Sequence, residues 1–383
     1  MIEFNKKLIF RKFFFDNTYF FLSAIFTLGI IVWVIQAVNF LDFVTEDGHG
    51  LGVYFKYSLL NFPKIISRLF PLIFFISIFY TLNKFEDNNE LKIFWINGIN
   101  KIKFSNVLIK YTFLFFIFQI FLSSLLSPVL QDRARSFLKT SNMDFFPSLM
   151  QEKKFIDTVD KLTIFIENKN SSEEFENIFL KDDLSSNKSQ IIYAKKGFLK
   201  DVNGVRKLIL FDGKFLNTDE KKTTVFNFSQ TEFDLTNYVT KSITHPKVQE
   251  LTTFLLLRCN YSFYVEKKLT HFFNFRDANI LCNENFVKEI NQELFDRLIK
   301  PLYLFLIAVI ACFLLTRYKE THKYKFHKIY IFGMGIVTII FSEMSVNYAG
   351  KSLNNTIVFY ILPLLLTLIA YLTLRSKLIY KKK

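Results

Sequence analysis

Apolar residues gather in six long runs, three on either side of a stretch whose pattern alternates. Ahead of it lie Tyr19 to Phe40, Ile65 to Leu82 and Tyr111 to Ser127. After it lie Arg297 to Thr316, Ile329 to Phe341 with a weaker extension, and Ile357 to Leu374. A helix rises ~1.5 Å per residue, so runs of about 20 residues match the ~30 Å hydrocarbon core of a bilayer. Six spanning helices are predicted. The first run lacks a small-residue cleavage site and continues into Trp33 and Phe43, which argues against a removable signal peptide.

Between the third and fourth runs the period drops to two. "KLTIFIE", "ENIFLKDD", "QIIYAKKGFLK", "RKLILFDGKFL" and "TTVFNFSQTEFDL" are short alternating or β-branched segments, separated by "ENKNSSEE", "DDLSSNKSQ" and "DVNGVR". Asn203-Gly204 is a two-residue hairpin signal joining Phe198–Asp201 to Lys207–Phe211. Strands at this spacing predict one all-β sandwich or jelly roll of about 100 residues. Beyond it, "THPKVQELTTFLLL" reads as a helix with Pro246 in its first turn, and "NENFVKEINQELFDRLIKP" as an amphipathic helix feeding the fourth span. The expected fold class is therefore an α-helical membrane protein with six transmembrane helices (3+3) and an inserted all-β jelly-roll domain. Its expected parts are residues 1–135 with helices one to three and a short helix near 88–98, the β-jelly-roll over 136–245, connecting helices over 246–290, and helices four to six with a basic tail over 291–383.

Composition supports a membrane protein with a polar insert: 51% of the 383 residues are hydrophobic and the mean hydropathy is +0.23. The 50 phenylalanines, with abundant Ile, Lys and Asn, fit an AT-rich genome, so aromatic stripes are read as lipid-facing bulk. Charge placement fixes a topology. Lys6, Lys7, Arg11 and Lys12 precede helix one, and Lys84, Lys92, Lys101 and Lys103 lie between helices two and three. Arg317, Lys319, Lys323, Lys325 and Lys328 lie between helices four and five, and Arg375, Lys377, Lys381, Lys382 and Lys383 end the chain. The alternate loops are poor in lysine and arginine, and "LDFVTEDGHG" is acidic. The positive-inside rule then predicts both termini in the cytoplasm and the β domain outside. The formal charge of +15 sits mainly on those inner flanks, where anionic headgroups account for it, so no nucleic-acid partner is expected.

Enzyme chemistry is absent from the pattern. "AGKS" at Ala349–Ser352 resembles a phosphate loop, but position 345 is Ser where Gly is needed and a spanning run precedes it instead of a strand. His49, His245, His271, His322 and His327 are dispersed with no metal-ligand spacing. No cofactor is expected. Cys312 lies inside helix four. Cys259 and Cys282 lie on the outer side, where a bridge is allowed in an oxidising compartment, although free thiols are the expected state.

Two groups of residues remain as candidate sites. "NNELKIFWINGINKIK" is too short to cross a bilayer and too apolar for water. Asp87 and Glu90 read as a capping pair at its start and Gly98 as its C-cap. Such a helix either fills a groove on a partner or lies on lipid. Lys64 and Arg68 stand one turn apart near the outer end of helix two, and Arg133 and Arg135 follow helix three on the same side. They either hold phosphates of a lipid substrate or snorkel to the interface. Glu343, late in helix five, is costly there unless paired or wet, and is read as partnered, by Lys351 for example, or exposed at the interface.

The order of three helices, outside β domain and three helices resembles the LptF/LptG permease family of the lipopolysaccharide export machine over nearly the whole chain. "NFPKIISRLFPLIF", with Pro63 and Pro71, resembles its second helix. "DNNELKIFWINGI" resembles its cytoplasmic segment, with Glu90, Leu91 and Gly98 in place. "LLSPVLQDRARSFL" resembles the exit of helix three and "NQELFDRLIKPL" the start of helix four. The β domain looks more like the LptF half. The resemblance implies a non-catalytic subunit of an ABC transporter in the bacterial inner membrane. Its cargo is lipopolysaccharide, and its partners are an LptB-like ATPase dimer, an LptG-like second permease, an LptC-like single-helix β-jelly-roll protein and an LptA-like bridge. It also implies that Leu91, Phe94 and Trp95 fill a groove of the ATPase while Glu90 meets a basic residue there, and that helices one and five form the opening walls of the lipid cavity. Of the phosphate-binding candidates, family patterns support Lys64 best. The alternative is a lipoprotein-releasing or mechanotransmission permease, which typically places its outside domain after the first helix. A lipid-modifying enzyme would want a clustered site that is missing here.

Overall fold

The computed structural model describes residues 2–41, 51–140, 152–159, 162–169, 174–185, 188–202, 205–219, 222–234, 247–265, 271–275, 278–282, 284–350 and 353–380. In chain order, α1 is Ile2–Asn39, α2 Leu51–Leu60, α3 Phe62–Asp87, α4 Glu90–Ile96, α5 Lys101–Phe121 and α6 Ser127–Thr140. Strands β1 to β6 follow, at Phe155–Val159, Leu162–Lys169, Glu174–Ser185, Lys188–Val202, Val205–Asp219 and Lys222–Asp234. Then come α7 (Thr253–Tyr264), β7 (His271–Phe275), β8 (Ala278–Cys282), α8 (Glu284–Leu294), α9 (Tyr303–Cys312), α10 (Tyr324–Ala349) and α11 (Leu353–Tyr380). Six stretches are long and apolar enough to cross a membrane: Leu8–Asn39, Leu51–Asp87, Lys101–Phe137, Glu284–Thr316, Tyr324–Ala349 and Asn355–Ile379. They divide three and three around the sheet. All six outrun the apolar runs of the sequence because the helices continue through their polar flanks.

The chain forms two compact units, one of residues 1–33, 61–131 and 247–383, the other of 34–60 and 132–246. In the helical unit α9 is the axis. Its residues Leu304, Ile307, Ala308, Val309 and Ala311 are buried, and the cluster extends through Phe70, Phe74 and Phe75 of α3 to Phe104 and Leu108 of α5. Close approach of α10 to α3 depends on Gly335, where an added Cβ would lie inside the Phe75 ring at 1.9 Å. Helix α1 is held near its middle by a buried polar knot. Ser77 donates to both the Asn17 backbone carbonyl and its Oδ1 at 2.9 Å, while the Asn17 amide donates to the Tyr111 hydroxyl at 3.0 Å. In a lipid medium such bonds contribute about 0.6–2 kcal/mol each.

Both junctions of the membrane spans carry a wide helical turn, at Leu122–Leu126 and at Phe295–Ile299. Each is followed by a proline, which has no N–H and crowds the carbonyl four residues earlier. Pro128 thus releases the Ser124 carbonyl and Pro301 the Arg297 carbonyl. Both find partners: Thr253 donates to Ser124 O at 2.5 Å, and Ser123 donates to Arg297 O at 2.9 Å.

In the second unit the six strands run antiparallel in simple meander order, each beside its sequence neighbour. The expected all-β insert between the two sets of three spans is thus present as a six-stranded antiparallel sheet. The expected hairpin is present, with Lys200 opposite Lys207 and Val202 opposite Val205; Asn203 and Gly204 themselves lie outside the described residues. Alternation buries one face, through Leu162, Ile164, Ile166, Phe175, Ile178, Leu180, Ile192, Leu208 and Leu210.

Two expectations for residues 246–290 change. The helix expected to start near Pro246, which lies outside the described residues, begins at Thr253 after a single tight turn at Val248–Glu250. The hairpin β7–β8 was not legible as strands. Cys259 and Cys282 are joined in a disulfide, not free, because β8 returns the chain to the face of α7 that carries Cys259. The bridge closes a loop of 23 residues, so its removal should cost about 2–4 kcal/mol. The Cys259→Ser/Cys282→Ser variant is expected to melt several degrees lower, measured by thermal unfolding in detergent with and without reductant. An unchanged midpoint in both conditions would show that the bridge contributes nothing.

Candidate functional site

Helix α4 is suspended between α3 and α5, and its ends explain its orientation. The Asp87–Glu90 capping pair does not form. Asp87 is the last residue of α3, Asn89 at φ 60° reverses the chain as the N-cap, and Glu90 is the first helical residue. The Asp87 carboxylate instead accepts from Lys328 of α10 at 3.0 Å. Gly98 does close the helix. With φ +71° it adopts the left-handed conformation and donates to Trp95 O, while Ile99 donates to Phe94 O, the paired bonds of a Schellman ending.

This geometry sorts the apolar residues of α4 into two faces. Leu91 and Phe94 are 2% and 0% exposed, committed to the chain's own core beneath the helix. Phe94 packs edge-on against Phe10 and Phe104 at 5.3 and 5.1 Å. Trp95 is half-buried against Phe104 and lines, with Tyr318, a small cavity of ≈ 390 Å³. The expectation that Leu91, Phe94 and Trp95 insert into another protein therefore does not hold for Leu91 and Phe94: Ile99 and Phe104 pull that face inward. The outward face consists of Ile93 and Ile96, 48% and 84% exposed.

Charged side chains wire this helix to its neighbours. On one side Glu90 accepts from Lys12 of α1 at 2.7 Å and from Asn88 at 3.2 Å. On the other, Lys92 meets Glu320 at 3.1 Å, and Glu86 accepts from the backbone N–H of Lys319 at 3.3 Å. Burial disfavours the charged form of Glu90, but the bonds from Lys12 and Asn88 outweigh it and hold its carboxyl below the ordinary glutamate range. A depressed carboxylate pKa means the contribution is complete at neutral pH and disappears only as the pH falls through that lowered value. Because Lys12 is mostly exposed, it amounts to about 0.5 kcal/mol. Lys101, first residue of α5, donates to Leu315 O at 2.7 Å and stacks over the Tyr318 ring at 3.8 Å, capping the end of the fourth span. Polar contacts thus tie α4 itself to α1 and to Glu320 in the turn before α10, while the adjoining ends of α3 and α5 are tied to α10 and to the fourth span.

The basic candidates are placed differently from one another. Lys64, half-buried in the first turn of α3, donates to Gln131 Oε1 at 3.0 Å and to Gln249. Arg68 is exposed one turn later and borders a polar cavity of ≈ 770 Å³, together with Glu293, Asp296, Lys300 and Glu343. Arg133 and Arg135 belong to the other unit, on α6, where Arg133 is exposed and Arg135 is buried. Glu343 has its partner in Lys300 at 2.7 Å, which Asp296 also engages at 2.8 Å; Lys351 lies outside the described residues. The most deeply buried charge was not singled out by the sequence pattern. Arg297, 1% exposed, bonds Glu293 at 2.8 Å, Leu251 O at 2.8 Å, Gln249 O at 3.0 Å and Thr253 at 3.0 Å. The only sequence signal for it was an arginine one helical turn after a glutamate at the edge of an apolar run. No group of three or more His, Cys, Asp or Glu poised to hold a metal occurs among the described residues.

Comparison with known proteins agrees with this architecture. The model of the family described as "Lipopolysaccharide export system permease LptF/LptG" matches residues 9–377. An uncharacterized protein of Rickettsia prowazekii (strain Madrid E), RP871, is 23% identical over 350 residues, covering 91% of this chain and 93% of the relative. With a match running from the first span to the end of the last, the chain belongs to the LptF/LptG family of lipopolysaccharide export permeases, non-catalytic multi-pass subunits of the inner membrane.

Proposed function

We propose that this chain is the LptF-like half of the transporter. In this reading it lifts lipopolysaccharide from the outer leaflet of the inner membrane and passes it to a periplasmic β bridge. The observation that carries the export reading is the placement of one β-sheet after the third span, within a family match that covers both helical halves; the choice of the LptF-like half rests on the likeness of the β-domain sequence. A lipoprotein-releasing permease, with its outside domain after the first helix, fits this order poorly.

The physical demand of the cargo supports the rest. A buried CH₂ is worth ~0.8 kcal/mol, so exposing one 14-carbon chain to water costs on the order of 10 kcal/mol. Acyl chains must therefore pass from an apolar cavity directly to an apolar sheet face. An LptG-like sister completes the cavity, with α1 and α10 as its moving walls, and the sheet hands lipid to an LptC-like protein and an LptA-like bridge. The LptB-like ATPase dimer seats α4, and both termini lie on its side, as the Lys/Arg flanks require. Lys64 and Arg68 offer cations for the lipid phosphates. Lys64→Ala/Arg68→Ala should lower lipopolysaccharide retention on the purified complex about tenfold, given roughly 1.5–3 kcal/mol for a charge-assisted bond. Unchanged retention would return both residues to the interface.

The decisive experiment reconstitutes the full complex with lipopolysaccharide in proteoliposomes and follows ATP-dependent transfer to a soluble β-jelly-roll acceptor. Transfer that requires this chain is the expected result. Hydrolysis without transfer, every component being intact, would overturn the reading.

A further inference from the structure

One groove in the helical unit belongs to none of these features. Lys110 of α5 lies about 13 Å along the axis from Lys101, at ~1.5 Å per residue. Its side chain is exposed to a groove of ≈ 500 Å³ between α5, α9 and α11, walled by Phe305, Leu364 and Leu368. The lining contains no carboxylate, and its other polar groups are accounted for in part by the bond from the Tyr371 hydroxyl to Asn106 at 2.9 Å. A lysine stem recovers roughly one helical pitch, 5.4 Å, by snorkelling, so the ammonium stays roughly 8 Å deeper than Lys101. A cation at that depth is costly unless an anion meets it.

We propose that this groove is a binding site for one anionic phospholipid from the leaflet on the α4 side. The acyl chains lie along Phe305, Leu364 and Leu368, and the phosphate is drawn inward to Lys110. Three features select this occupant. The groove supplies a positive charge and no negative one. Its α11 wall is continuous with the lipid-facing surface of that helix, where Leu364 and Leu368 are themselves more than half or nearly six-tenths exposed, at 56% and 59%. Exposed Lys103 and Arg375 at the nearby helix ends enrich anionic lipid around its mouth. The site is independent of the cargo and of which half of the transporter this chain forms.

The test uses the full-length chain in its complex, in nanodiscs containing phosphatidylglycerol or phosphatidylcholine with identical diazirine-bearing acyl chains. Photolysis followed by peptide mapping reads labelling at Phe305 and Leu364–Leu368. Labelling should favour phosphatidylglycerol about tenfold, lose that preference in Lys110→Gln and keep it in Lys110→Arg. Leu368→Trp, which fills the groove and leaves the charge, should lose labelling by both lipids. Equal labelling by the two lipids in the native protein, an unchanged preference in Lys110→Gln, or capture of Lys110 by an acidic residue of a partner helix would each overturn the proposal.

Discussion

Replacing Ile93 and Ile96 with aspartate should abolish ATP-driven transport, reducing transfer at least 100-fold, while the permease inserts and melts as the native protein does. Both side chains already face outward, so aspartate there meets water in the isolated subunit and leaves its core untouched. In the docked complex the same positions would enter an apolar groove, where an unpaired carboxylate costs several kcal/mol. About 3 kcal/mol is already a factor of 100 in affinity. The buried face gives the opposite signature. Leu91→Ala and Phe94→Ala should each cost about 2–5 kcal/mol of stability through the cavity they leave. Co-purification of the ATPase with each variant, measured beside thermal unfolding, separates the two faces. If the Ile93→Asp/Ile96→Asp double variant retains the ATPase and transports normally, α4 rests on lipid and the docking assignment fails.

The division of α4 into faces marks where sequence reasoning ran out. Six spans and five of the sheet's six strands, all but β1, were legible because their periods differ, long apolar runs against strict alternation, and both depend on local chemistry. The faces of a seven-residue helix that is apolar almost all round are set by what comes next. Gly98 turns the chain so that Ile99 and Phe104 draw Leu91 and Phe94 inward, and no pattern within α4 encodes that. The cysteines were undecided for a similar reason, since the hairpin that brings Cys282 back to Cys259 joins two segments of only five residues each. Lys64 and Arg68 were rightly placed one turn apart, yet the glutamines that hold Lys64 come from positions 131 and 249, distances in sequence that spacing cannot bridge. The motifs "LLSPVLQ" and "FDRLIKP" were each recognisable, but that Ser123 of the first donates to the freed Arg297 carbonyl of the second required the fold.

Those two motifs underlie the largest expected loss of stability. Arg297→Ala should destabilise the helical unit by about 3–5 kcal/mol, since it breaks a buried ion pair and leaves Glu293 without its partner. The same change strands the carbonyls of Gln249 and Leu251, each an added desolvation cost of about 1–3 kcal/mol if water cannot reach it. Arg297→Lys should recover only part of this, because an ammonium cannot reproduce the planar fork that serves Glu293, Leu251 and Gln249 at once. Arg297→Met/Glu293→Gln removes both charges while keeping bulk, and should be milder than Arg297→Ala. The geometry also locates the damage. Residues 249–253 connect the sheet to the second helical half, so hydrogen exchange should accelerate first in that segment and in the adjoining turn of α8, with α4 protected as before. Uniform exchange across the helical unit would instead mean that Arg297 stabilises the fold globally and has no special hold on the connection.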